Sequence, residues 1–411
     1  MSIETLTEQI LRKMSQTNKW QRDFFLHLMV LFLRVRGRYT FLNMARHADR
    51  NEMTYRNRFK AGFDFAQFNA HLIRACIQAD NRLWVFDPSH IRKSGRHTPG
   101  TGYFYSSTAG KARWGLELCT FACVDTSRPA NLHYLAVQTQ PVQTQPVQTQ
   151  PVQTSLLSFY GQQVRTHASG LKQLCSYLAV DAFFSKRDFV DAAHHSGLWL
   201  ISRLRSDAAV YLPPPPRVPG QKGRPRKYGD RLDCRTPQAT AGQLPLLGQS
   251  EHALVYGGLV RVKSLDRLVQ LCVVFESDGK GEHRKARLYF CTDPAFEPTR
   301  IWPCYQRRFG IEFLFRDGKQ HTGLQHCQSR QPQAIAYQFN ASLTAVSLAR
   351  ATQLLNAQHT AAPVFSMADV KTRQHNRYLV DCVFDLFAHD PNLTKNHPDI
   401  VSLYQYGLIH T

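Results

Sequence analysis

Apolar residues recur at three- and four-residue spacing across residues 3–14, 20–33 and 63–77, so the first eighty residues read as helices. From residue 81 the pattern changes to short apolar runs of strand composition, at 83–86, 116–124, 132–137, 177–180 and 199–204. A helical stretch near 156–174 separates the third run from the fourth, and a further helix fits between the last two. Three strands, a helix, a strand, a helix and a strand predict a mixed sheet with helices packed on it. Residues 205–300 differ again, opening with PPPP and the basic GQKGRPRKYGDR, then alternating as strands near 253–262, 268–275 and 286–291. A small antiparallel sheet with a stiff, basic entry is the simplest reading. Amphipathic segments at 301–319, 333–353 and 368–387 would close the core from the far side.

Two segments add to this pattern. Residues 40–60 resemble a helix-turn-helix, TFLNMARH and MTYRNRFK joined by ADRNE, whose second helix carries Arg56, Arg58 and Lys60 after Arg46 and Arg50. Residues 137–154 are a uniform repeat of PVQTQ, a composition that supplies no packed core and predicts an extended exposed loop.

Charge narrows the class. The 411 residues carry 51 Lys and Arg against 30 Asp and Glu, a net charge of +21, which favours a polyanionic partner such as nucleic acid. A membrane span is not expected, because the most apolar run, FFLHLMVLFL, is half the roughly 20 residues a span needs. The polar, acidic opening MSIETLTEQI does not read as a secretory signal. Ten scattered cysteines without paired CxxC spacing fit a reduced cytoplasmic protein, with Cys119 and Cys123 read as core residues. His194 and His195, with His90 or His97, lack zinc spacing and read as surface or DNA-facing residues.

Candidate chemistry lies at strand ends and on one helix. Asp87 ends LWVF and Asp181 ends YLAV, so two strands deliver a carboxylate at the same kind of terminus. Such a carboxylate is costly unless paired, protonated or on a metal, and two side by side suit a hard divalent cation. Asp125, after FACV, fits the same pattern and stays open on this reading, as does Glu117. Around Glu312, YQRRFGIEFLFRDGKQ places Tyr305, Arg308, Glu312 and Lys319 at Y-x2-R-x3-E-x6-K. On a helix turning about 100° per residue, these four and Arg316 share one stripe, beside an apolar strip of Cys304, Ile311 and Phe315. A solvated salt-bridged face would balance acids and bases; three cations and a phenol around one acid suit phosphate contact.

These blocks together resemble the bacterial insertion-sequence transposases of the DDE type, in the branch with the Y-R-E-K signature. FDPSHIRKSG with GTGYFYSSTAGKARWGLEL resembles the first catalytic block, VDAFFSKRDFVDAAHHSGLWLISRLRSD the second and YQRRFGIEFLFRDGKQHTGLQ the third. The resemblance implies an α/β, ribonuclease-H-like core, a mixed sheet flanked by helices, over 81–204 and 300–345. A β-rich insertion at 205–299 would interrupt it, a helical DNA-binding domain at 1–80 precede it, and a helical region at 346–411, a candidate for dimerisation, follow it. It implies that Asp87, Asp181 and Glu312 are catalytic and hold two Mg2+ ions, with Mn2+ able to substitute. Tyr305, Arg308, Arg316 and Lys319 would contact DNA phosphates, joined by Arg56, Arg58 and Lys60 and by Arg224, Arg226 and Lys227 of the basic entry.

The implied activity is cut-and-paste transposition on double-stranded DNA. A homodimer in the bacterial cytoplasm, at the nucleoid, would bind terminal inverted repeats, cleave, pass through a hairpin and join target DNA. Relatives hold a flipped base with an aromatic residue, in some a tryptophan of the insertion. No Trp lies between 205 and 300 here, which leaves Tyr289 or Phe290 for base stacking. The alternative is a catalytically inactive DNA-binding relative acting as a repressor of transposition. A tyrosine recombinase fits poorly, since the H-x-x-R matches at His47–Arg50 and His71–Arg74 lie far upstream of Tyr404 and Tyr406.

Overall fold

The computed structural model describes residues 1–95, 97–141, 155–217, 222–277, 286–357, 364–386, 396–406 and 408. The N-terminal helices are α1 (Ile3–Arg12), α2 (Lys19–Arg34), α3 (Phe41–Arg46), α4 (Glu52–Lys60) and α5 (Phe65–Cys76). Side-chain caps start them: Asn18 and Gln21 form a capping box on α2, and Asn51 accepts from the Thr54 N–H at the start of α4. Helices α3 and α4 fall where the helix-turn-helix pattern predicts them.

The sheet begins with β1 (Arg82–Arg92), β2 (Gly102–Ser106), β3 (Lys111–Asp125) and β4 (Asn131–Gln138), continues after α6 (Leu156–Lys172) with β5 (Tyr177–Val180), and after α7 (Arg187–His195) with β6 (Trp199–Leu204). Strand β3 pairs antiparallel with β1 and, on its other edge, with β2 and β4. Strands β1, β5 and β6 run parallel, as the helical crossovers require. The order β4-β3-β1-β5-β6 is the ribonuclease-H-like arrangement expected, with the β2–β3 hairpin as an extension. The Trp84 indole N–H donates to the Leu171 and Cys175 carbonyls, both at 3.0 Å, which ties β1 to the end of α6.

The insertion is not the separate small sheet its pattern suggested. It contains β7 (Val210–Tyr211), α8 (Pro237–Ala241), β8 (Leu246–Gln249), β9 (Ala253–Val262), β10 (Arg267–Glu276) and β11 (Arg287–Cys291). Strand β11 pairs antiparallel with β6, so core and insertion form one 11-stranded sheet. Strands of either block with free edges satisfy their backbone groups by pairing with each other, and sequence alone does not show that register.

The chain then returns to helix through α9 (Pro298–Arg307), α10 (Gly310–His321), α11 (Pro332–Asn356), α12 (Met367–Leu386) and α13 (Pro398–Gln405). Helix α11 is not amphipathic as expected; it is buried on nearly every side, packing against β4, α2, α4, α5, α10 and α12. Its polar residues are tolerated because they are bonded: Asn340 pairs with His133 and Ala136 of β4, and Thr344 with Asn69 of α5. One hydrophobic core therefore runs from Ile3 of α1 to Ala351 of α11 and on to Met367, and the boundary expected at 345/346 falls inside α11. The repeat also begins inside the fold. Val137 and Gln138 finish β4, and buried Thr139 donates its N–H to the Glu117 carbonyl at 2.8 Å; residues 142–154 lie outside the described residues.

Candidate active site

Asp87 and Asp181 meet because their strands do. Phe86 is in register with Val180 across the parallel β1–β5 pair, so the next residue on each strand is an aspartate and the two stand side by side. Asp125 does not join them. It pairs with Arg82 at the other end of the antiparallel ladder and binds Arg128 at 2.9 Å, closing a turn. Register thus decides between carboxylates that the strand-end pattern left equal.

Helix α9 lies on β6 and the insertion strands β9–β11, and α10 lies on β1, β3 and β4. The continuous helix expected over 301–319 is interrupted at Arg308–Phe309, where successive N–H groups donate three residues back, from Arg308 to Tyr305, Phe309 to Gln306 and Ile311 to Arg308. This tight turn sits where the chain crosses from one packing surface to the other. A Cβ on Gly310 would lie 3.3 Å from Val124 Cγ1, so the start of α10 rests directly on the ends of β3 and β4, with the Asn131 amide donating to the Gly310 carbonyl.

The stripe of the third block reaches both aspartates. Tyr305 donates its hydroxyl to Asp181 Oδ1 at 3.3 Å, Arg308 Nη2 donates to Glu312 Oε1 at 3.3 Å, and Lys319 Nζ donates to Ser89 Oγ at 2.9 Å, two residues beyond Asp87 on β1. Burial pushes the Asp87 carboxyl up to about 7; Arg308 pulls it down, and Glu312, Asp181 and Glu117 push it further up. Burial works against the charge of Arg308, but Asp87, Tyr305, Asp181 and Glu312 outweigh it and raise its pKa. Burial, and then Arg92, lower the Lys319 pKa. One buried guanidinium is thus the common counter-charge of three acids.

Arg316 leaves the stripe. It pairs with buried Asp317 at 3.0 Å and lies 4.8 Å from the Phe313 ring, and these neighbours on α10, not the shared spacing, set where its guanidinium goes. Tyr289 and Phe290 do not suit base stacking. Strand β11 lies between β6 and β10, and the two side chains are 3% and 0% exposed, with Tyr289 packed against Tyr305 at 4.9 Å. Arg224, Arg226 and Lys227 are exposed, Lys227 being paired with Asp266. On α4, Arg56 and Lys60 are exposed and Arg58 half-buried; Arg56 Nε donates to Glu52 at 2.9 Å.

Two families match this chain. One, described as DDE superfamily endonuclease, matches residues 14–250, and the other, described as transposase DDE domain, matches residues 155–348. The chain belongs to the DDE superfamily of endonucleases. The first match contains Asp87 and Asp181, and the second contains Asp181 and Glu312. No curated protein matches the chain at a significant level. Among the described residues, no helix is long and apolar enough to cross a membrane.

Members of the DDE superfamily use divalent metals, and the donors of this DDE endonuclease suit a hard cation in chemistry, being carboxylate oxygens side by side on adjacent strands. The third carboxylate is held by Arg308, and among the described residues no three His, Cys, Asp or Glu side chains are gathered tightly enough to ligate an ion as they stand. Three further residues contribute, of which Ser89 and Arg203 were not singled out in the sequence. Ser89 anchors Lys319, Arg203 faces Tyr289 and Tyr305 from β6, and Glu117, left open before, is a buried acid near Asp87 that accepts from the Tyr160 hydroxyl. An acid between two leucines in a strand, as in LEL at 116–118, is the signal that finds Glu117.

Proposed function

We propose that this DDE endonuclease is the cut-and-paste transposase of an insertion sequence, acting on terminal inverted repeats and target DNA through a hairpin intermediate. Asp87, Asp181 and Glu312 would hold two Mg2+ ions, which supply Lewis-acid activation of the attacking oxygen and stabilisation of the leaving one. Arg308 keeps Asp87 and Glu312 close in the absence of DNA and turns to the scissile phosphate when Glu312 is released. Tyr305 orients Asp181 through its hydroxyl, and Lys319, anchored on Ser89, offers a point charge to the neighbouring phosphate. Arg56, Arg58 and Lys60 of α4 and Arg224, Arg226 and Lys227 of the insertion give two further DNA-contacting faces. Two copies of the chain, one for each end, complete the assembly.

The observation that carries this reading is the in-register pair Asp87 and Asp181, with Glu312 held by Arg308, whose charge acts on both aspartates. Strand cleavage of DNA carrying the element's ends, with Mg2+ present, tests it. Asp87→Asn, Asp181→Asn and Glu312→Gln are each expected to lower cleavage at least a thousandfold while end binding persists. Retained cleavage removes that residue from the reacting set. Wild-type protein that binds ends but never cuts them makes the chain an inactive, repressor-like relative.

A further inference from the structure

Beside the carboxylates lies a second basic feature with no acid in its lining. A groove of about 870 Å³ runs between the end of β1 and the segment after α10, lined by Arg38, Arg92, Lys93, Trp114, His326 and Arg330 among others. That volume lies within the ~300–1,000 Å³ of ligand-holding clefts. Arg38, Arg92 and Arg330 are exposed and form no ion pair among the described residues. The floor is fixed, because Lys93 Nζ donates to the Cys327 carbonyl at 2.5 Å and the Ser329 carbonyl at 3.3 Å, clamping 327–329 to the end of β1. Arg92 also acts on Lys319, so the positive field of the groove is continuous with that of the carboxylate site.

The groove's rim is aromatic. In the β2–β3 hairpin Tyr103 pairs with Trp114, their rings 5.4 Å apart and steeply inclined, and Tyr105 follows on the same face. Tyr103 is 74% exposed, Tyr105 66% and Trp114 38%, and Arg113 and Lys111 are exposed on the same strand as Trp114. Large rings on a strand at the edge of a sheet gain nothing by facing water. A groove of unpaired cations beside exposed aromatic faces is the combination that binds single-stranded nucleic acid, where phosphates track the charge and bases stack on the rings. A duplex cannot use those rings, since its base faces are covered by stacking.

We infer that this groove holds an unpaired DNA strand next to the cleavage site, with phosphates on Arg38, Arg92 and Arg330 and a base stacked on Trp114 and Tyr103. Along β1, Arg92 lies about 17 Å from Asp87, a reach of a few nucleotides. The inference rests on the reading of the protein as a DNA-cleaving enzyme but needs no catalysis for its test. Binding of the full chain to a labelled oligo-dT strand and to a blunt duplex is compared by fluorescence anisotropy. Trp114→Ala with Tyr103→Ala is expected to weaken the oligo-dT complex about tenfold and leave the duplex complex unchanged. Trp114→Phe, which keeps a ring, is expected to retain most of the single-strand affinity, which separates stacking from a folding defect. Arg92→Ala with Arg330→Ala should lower the salt dependence of oligo-dT binding by about 0.7 per lost contact. Equal losses on both DNAs, or none, overturn the groove. Asp87→Asn that abolishes cleavage but binds oligo-dT normally leaves it standing, and oligo-dT binding indifferent to Trp114 and Tyr103 sinks it even in a protein that cuts ends.

Discussion

At the scale of residues, the decisive group is Arg308. It is the cation common to Asp87, Asp181 and Glu312, and its own charge is sustained by them against burial. Lys319 works differently, as a half-buried ammonium that donates to a neutral hydroxyl, Ser89 Oγ. Asp87 supports its charge, but among the described residues no carboxylate forms an ion pair with it, so it is available to a phosphate. Lys319→Ala should therefore weaken the complex with end DNA about tenfold and make the slope of log affinity against log salt shallower by about one, measured by anisotropy over a salt series. An unchanged slope would show that Lys319 touches no phosphate. The nearness of Tyr305, Arg308 and Lys319 to the aspartates was legible as a spacing, because helical spacing gathers residues on one side of the chain, even though the turn at Arg308–Phe309 divides this stretch into α9 and α10. Arg316 obeyed the same spacing, yet its guanidinium is taken up by Asp317 and the Phe313 ring, partners that the spacing does not announce.

At the scale of elements, β1, β5 and β6 were legible because strands buried on both faces are continuous apolar runs, and their terminal aspartates were legible with them. Strand β2 was not, because GYFYS alternates exposed tyrosines with buried residues over only five positions. Helix α11 was legible as a helix but not as a buried one, because its Gln, Asn, Ser and Thr residues read as a solvent face until their partners are seen. The tightest of those partnerships joins it to β4. His133 is fully buried, its Nε2 is 3.0 Å from Asn340 Oδ1, and its backbone N–H donates to Ser347 Oγ at 2.7 Å. Burial pushes its pKa from an ordinary value near 6.5 down to about 3, partly offset by Asn340. The folded state then binds fewer protons than the unfolded chain between those values. Stability should fall as pH drops from about 6.5 toward 3, by about 1.4 kcal/mol per pH unit for this group. His133→Gln, which keeps a donor for Asn340, is expected to flatten the acid limb of the thermal midpoint against pH by one proton's worth.

At the scale of the whole molecule, the N-terminal helices and α12 are locked together beside α10, the helix that carries Glu312. Lys371 of α12 is buried and donates to the Phe32 carbonyl at 3.1 Å and the Val35 carbonyl at 2.6 Å, at the end of α2, and to the Tyr39 hydroxyl. Tyr39 in turn donates to the His321 carbonyl at 2.5 Å, at the end of α10. Burial, and then Arg36, push the Lys371 ammonium down to about 7. Because this folded value lies below the ordinary 10.5, the charged form is disfavoured in the fold, and stability should rise as pH climbs from about 7 to 10.5. The thermal midpoint measured across that window is expected to lose this rise in Lys371→Gln. The backbone ladder between β6 and β11 has a consequence of another kind. Excision of residues 210–291 would strip β6 of a neighbour and leave Leu200, Ile201 and Leu204 along a bare border, a template for strand-by-strand recruitment of further copies. A shortened descendant of this gene would be expected to precipitate before it could be tested for anything else.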